Sequence, residues 1–136
     1  MVTKLSEKQK KEAKKQFENT IKEINQGDVI EASKDGLIKI KELESKIPKL
    51  LKDTWEDIKM MIYMITDYIK GDYKKVNWKT IATIAGAIIY FLAPLDLIPD
   101  FIPIVGYLDD LTVIKIALNM VKKDFDEYKE WKSDNL

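Results

Sequence analysis

Between Thr80 and Leu95 the chain runs TIATIAGAIIYFLAPL without a single charge, although 34% of all residues are charged. Apolar residues cover every face of such a helix rather than one stripe, so it must sit at the centre of a bundle or lie in a bilayer. Pro94 disfavours helical geometry at Ala93, and the helix is therefore expected to run from Trp78 to Leu92, about 15 residues or roughly 22 Å. That falls short of the roughly 30 Å hydrocarbon core of a bilayer. The central position is the leading reading, and a re-entrant or interfacial segment is the alternative. Ala82 and Gly86, with Ala85 beside them, leave a shallow face on which another helix can pack closely.

The flanking sequence supplies amphipathic partners. Ser6 can cap a first helix running from about Glu7 to Asn25, with Gln9 in the reciprocal capping position and Ala13, Phe17, Ile21 and Ile24 on one face. Gly27 breaks it. Asp28 followed by Glu31 signals a second helix whose stripe is Val29, Ala32, Gly36, Leu37, Ile40, Leu43 and Ile47, with Lys and Glu opposite. Gly36 in that stripe offers a neighbour a close approach. Pro48 suits the first turn of a third helix that Gly71 closes near Lys70, with Leu51, Trp55, Ile58, Ile62, Ile65 and Ile69 as its main stripe, widened by Leu50, Met61, Met64 and Tyr68. Asn77 opens the uncharged helix. A fifth runs from near Tyr107 to about Trp131 on Leu108, Leu111, Ile114, Leu118, Val121, Phe125 and Tyr128. No period-two alternation marks a strand. The expected class is all-α: one bundle of about five helices with a central apolar hairpin joined by a proline-rich loop, forming a single helical domain over residues 1–136.

Composition narrows the function classes. The chain has 136 residues, 46% of them hydrophobic, and a formal charge of +0. All 23 basic residues are Lys, so the bidentate guanidinium forks of a nucleic-acid reader are absent and no nucleic-acid partner is expected. Without Cys or His there is no thiol nucleophile, thiolate metal site or imidazole base. The basic amino terminus is not followed by an apolar run of signal-peptide length, so secretion is not expected.

The loop connecting the two most apolar helices reads APLDLIPDFIPIVGYLDD from Ala93 to Asp110. Three prolines fix backbone angles and remove donors, which lowers the entropy lost on ordering the connection. The run from Tyr90 to Leu111 resembles the signature of the YkvA family of small bacterial proteins of unassigned function. The resemblance rests on Pro94-Leu95-Asp96, Leu97-Ile98-Pro99-Asp100, the spacing of Pro103 and Gly106, and the pair Asp109 and Asp110. It divides the chain into amphipathic helices over 1–47 and a YkvA-like region over 48–136. It implies a helical hairpin around the loop and, in some relatives, membrane association; a similar segment forms part of the membrane region of a eukaryotic ubiquitin ligase. It implies no reaction.

The loop aspartates admit two readings. As structural groups, Asp96, Asp100, Asp109 and Asp110 accept hydrogen bonds from N–H groups exposed where helices begin, and Asp109 and Asp110 complement the dipole of the last helix. As a site, four carboxylates without His or Cys suit a hard cation such as Mg²⁺ or Ca²⁺, or serve as an acid and base pair, although their spacing is not that of an EF-hand. The structural reading accounts for the pattern with no ligand. The expected protein is thus a non-enzymatic helical module for protein interaction or membrane association, with a cation-binding or hydrolytic loop as the alternative. It needs no cofactor, no small-molecule substrate is evident, and its partner is a protein or a membrane surface. Its expected place is the cytoplasm, peripheral to or embedded in the membrane. Lys8, Lys10, Lys11, Lys14 and Lys15 of the first helix could meet anionic lipid, but Glu7, Glu12 and Glu18 dilute them and an ordinary solvated face explains them better.

Overall fold

In the computed structural model, which describes residues 7–47, 52–96 and 110–135, six α-helices account for the secondary structure and no strand occurs among the described residues. They are α1 (Glu7–Glu23), α2 (Gln26–Glu44), α3 (Trp55–Lys70), α4 (Trp78–Asp96), α5 (Asp110–Met120) and α6 (Lys122–Asp134). The fold is an all-α bundle. Its centre is α4, which packs against α1, α2, α3 and α5. Every residue from Thr80 to Ile88 is buried. The uncharged run is therefore the core helix of the bundle, as its lack of a polar face requires.

Helix ends follow local chemistry. The Asn25 side chain accepts from the Asp28 N–H at 2.9 Å and the Asp28 carboxylate accepts from the Asn25 N–H at 3.0 Å, forming a capping box. Asn25 is thus the cap and Asp28 its reciprocal partner, whereas the sequence placed the cap at Asp28; Gly27 lies inside the first turn of α2. Gly71 ends α3 in the left-handed region at φ 84, a conformation that costs a residue without Cβ little. Asn77 Oδ1 accepts from the Thr80 N–H at 3.0 Å and opens α4. The expected start of α3 at Pro48 moves to Trp55, after a turn over 52–54, and Pro48 lies outside the described residues.

Two expectations about the last helices are corrected. Helix α4 continues through Ala93 and Pro94 to Asp96, so the bias of Pro94 on Ala93 does not end it; proline's fixed φ is compatible with a helix, and its missing donor and crowding of the preceding turn fall at the very end. Its 19 residues span about 28 Å. No helix among the described residues is long and apolar enough to cross a membrane. The expected fifth helix divides at Val121, where ψ swings to 19. Hydrogen bonds from Val121 N–H to Ala117 O and from Phe125 N–H to Val121 O bracket the break, so it is a bend rather than a loop. No Gly or Pro marks it. The bend accompanies the packing of α6 against α3, where Phe125 and Tyr128 are buried.

The packing of α2 on α3 turns on one glycine. A Cβ placed at Gly36 would lie 2.9 Å from Ile62 Cγ1 and 3.0 Å from Cγ2, inside any normal contact. Beside it, Thr66 Oγ1 donates to Ile62 O at 2.7 Å, so its one proton is used and the buried Ser33 hydroxyl must donate to Thr66 at 2.7 Å. Gly36→Ala gains up to about 1 kcal/mol of helix propensity but must displace a β-branched, fully buried side chain, which typically costs about 1–3 kcal/mol. Net destabilisation is expected. Denaturant melts should show a smaller penalty for Gly36→Ala in an Ile62→Ala background, and equal penalties in both backgrounds would refute the close approach. The small face of α4 is covered by α1: a Cβ at Gly86 would meet Phe17, Ile21 and Ile24 at 3.5 to 3.9 Å.

Candidate functional site

The proline-rich loop leaves α4 and enters α5. Pro94 and Asp96 belong to the last turn of α4, and Asp110 is the first residue of α5. Asp96 therefore stands at the negative end of a helix dipole and Asp110 at the positive end of the next. Pro99, Asp100, Pro103, Gly106 and Asp109 lie outside the described residues, and with them the proposed convergence of four carboxylates. Among the described residues no group of three or more His, Cys, Asp or Glu side chains is placed to hold a metal ion. The helices flanking the loop pack on each other, and the far ends of both meet: Lys79 and Ala82 of α4 share a cleft with Met120 of α5. The expected hairpin is present.

A buried polar cluster that the sequence did not signal joins α3 to α6. Asp67 is 7% exposed, accepts from the Tyr128 hydroxyl at 2.6 Å and from Lys132 Nζ at 3.0 Å, and its backbone carbonyl accepts from Asp72 and Tyr73. Burial, the hydrogen bond to Asp67 and the charge of Asp67 hold the Tyr128 hydroxyl protonated far above the ordinary tyrosine range. Tyr73, pushed up by burial and then by Glu127 and Asp124, packs edge-on against Tyr128 at 5.1 Å, and Trp131 stacks on Tyr128 at 5.8 Å. A tyrosine held protonated, its hydroxyl already donating to a carboxylate, is a poor nucleophile. The cluster is a latch. Thr80 likewise donates to Asp124, tying the start of α4 to α6.

The outer face of α2 is the largest departure from the expected pattern. Leu37, expected in the core stripe, is 38% exposed, and Ile30 and Ile38, on the side expected to be Lys and Glu alone, are 37% and 58% exposed. At 100° per residue these three share one sector of about 100° with Lys34 and Lys41. Glu31, Asp35 and Glu42 fall along one edge of that sector and Glu44 along the other. Two of the four are engaged with lysines: Glu42 with Lys39 at 3.3 Å and Glu44 with Lys59 of α3 at 3.5 Å. On α1, by contrast, Phe17 and Ile21 are spent in the core, and Lys8, Lys11, Lys14 and Lys15 look outward with no apolar residue among them.

Comparison with known proteins fits this architecture. The family described as "Protein of unknown function (DUF1232)" matches residues 80–116, the stretch from the first turn of α4 through the loop into α5. The "Uncharacterized membrane protein YkvA" of Bacillus subtilis (strain 168) is 34% identical over 77 residues, covering 57% of this chain and 73% of the relative. No solved structure matches. With the family model matched across the α4–α5 hairpin and that relative covered over most of its length, the chain belongs to the YkvA-like DUF1232 family, whose function is unassigned.

Proposed function

We propose that the protein is a non-enzymatic helical module that attaches peripherally to the cytoplasmic surface of a membrane through the outer face of α2. The observation that carries this reading is the sector in which Ile30, Leu37 and Ile38 stand exposed with Lys34 and Lys41 among them and no carboxylate inside it. Such a face buries apolar side chains at the acyl boundary while its ammonium groups meet anionic headgroups. Each lysine near an anionic surface is worth on the order of 1 kcal/mol. The name of the Bacillus subtilis relative as a membrane protein supports the same direction. Since no described helix is long and apolar enough to span, attachment from one side is the form the described residues favour.

Flotation with vesicles of mixed phosphatidylglycerol and phosphatidylcholine tests it. The wild type should float, less so as salt is added. Leu37→Glu with Ile38→Glu should reduce binding at least about tenfold, because roughly half of each side chain's transfer energy, itself about 1.5–3 kcal/mol, is lost and two repelled charges are added. Ile38 mostly faces solvent and Leu37 sits at the margin of the core, so the melting temperature should fall only modestly, with cooperative unfolding kept. Undiminished flotation of that variant would refute the α2 face. Failure of the wild type to float would refute membrane attachment and turn the same face toward a protein partner.

A further inference from the structure

Between α1, α4 and α5 lies an open cleft of about 280 Å³, floored by Ile21, Ala82 and Met120 and walled by Trp78, itself 40% exposed. A second hollow of about 290 Å³ adjoins it, sharing Glu18, Lys79 and Met120. Three lysines ring the pair: Lys22 and Lys79 on the first, Lys14 and Lys79 on the second. Glu18 is the one carboxylate in the lining, so the rim carries two net positive charges. None of these four side chains makes an ion pair within 4.0 Å among the described residues, although Lys14, Glu18 and Lys22 follow each other at helical i, i+4 spacing.

The chemistry of the lining selects a class of ligand. The two hydroxyls in the second hollow are already committed, Thr80 to Asp124 and Thr83 to the backbone carbonyl of Lys79. The side-chain donors left to a ligand are ammonium groups and the rim indole of Trp78. A sugar or nucleotide, which needs several placed hydrogen-bond partners, has little to bind. An anion without an apolar body would leave the floor uncovered. We propose that this cleft binds a single-chain anionic amphiphile of the fatty-acid class, its carboxylate between Lys22 and Lys79 and its chain along Ile21, Ala82, Met120 and Trp78. The volume sits at the lower end of the roughly 300–1,000 Å³ usual for small-molecule sites and suits one chain rather than two. This site is separate from the α2 face and requires no vesicle.

The test is a titration in vesicle-free buffer with dodecanoate held below its micelle concentration, followed by intrinsic tryptophan fluorescence and by thermal melting. Dodecanol and inorganic phosphate serve as the two controls, one lacking the charge and the other the chain. Saturable binding of dodecanoate is expected, at least about tenfold tighter than dodecanol and with no response to phosphate. Lys22→Gln with Lys79→Gln cancels the net charge of the rim at two exposed positions and should weaken dodecanoate roughly tenfold while leaving the melting temperature of the free protein unchanged. Equal affinity for dodecanol, equal affinity in the double variant, or no binding at all would overturn the proposal. Vesicle flotation by the same double variant keeps this result distinct from the α2 reading.

Discussion

Ile88→Asp is expected to leave the chain without a cooperative folded state. Ile88 is 0% exposed on α4, the helix against which four others pack, so its replacement has no route to water. An ionised carboxylate there costs several kcal/mol, and taking up a proton to avoid that cost still leaves a polar group in an apolar site and forfeits about 2–3 kcal/mol of isoleucine burial. Against a typical total stability of about 5–15 kcal/mol the sum is decisive. The adjacent Ile89 is 38% exposed, so Ile89→Asp keeps a route to water and should cost clearly less, about 1–2 kcal/mol. Circular dichroism melts of the two variants check the pair. A cooperative, wild-type-like melt for Ile88→Asp would mean that α4 is not the core of the bundle.

Asp67→Ala is expected to cost about 2–3 kcal/mol, because it strands the buried Tyr128 hydroxyl and frees Lys132. Lys132 reaches solvent, its side chain being 29% exposed, so the full penalty of a broken buried ion pair does not apply. Asp67→Asn keeps an acceptor for Tyr128 and should cost less. The same contact sets a pH dependence. Tyr128 binds its proton more tightly folded than unfolded, so its contribution is complete below the unfolded tyrosine value of about 10 and is lost as pH rises above it. Chemical denaturation between pH 8 and 11 should therefore show stability falling above about pH 10, less steeply in Tyr128→Phe. An identical fall in both would place the alkaline sensitivity elsewhere.

Much of the bundle is legible because helices announce themselves locally. The stripe of α3 is read directly from Trp55, Ile58, Ile62 and Ile65, its end from Gly71, and the start of α4 from Asn77. Periodicity identifies the face that is apolar, not how far a neighbour covers it. Leu37 and Ile69 sit at the margins of their stripes and come out 38% and 37% exposed, while Ile30 and Ile38 are apolar residues on the far side of a stripe already assigned. A helical wheel drawn for the polar side of α2 would have found them. The bend at Val121 has no local residue to signal it, since it arises where α6 turns onto α3. Nor could Asp67 be paired with Tyr128, 61 positions away, from either residue's surroundings. The proline-rich loop identified the family, but its carboxylates and prolines, with no recognisable catalytic constellation around them, specify no reaction.

The central position of α4 also ranks the helices by how independently they can let go. Helix α1 packs mainly on α4 and α5, so it is expected to open before α4 does. Helix α4 cannot open without uncovering α1, α2, α3 and α5 together, and its amide protons are expected to exchange with solvent only when the whole molecule unfolds. The family's proline-rich segment is thus spliced directly onto the most slowly yielding part of the chain. Hydrogen exchange of the α4 amides is therefore expected to be slower than that of the α1 amides.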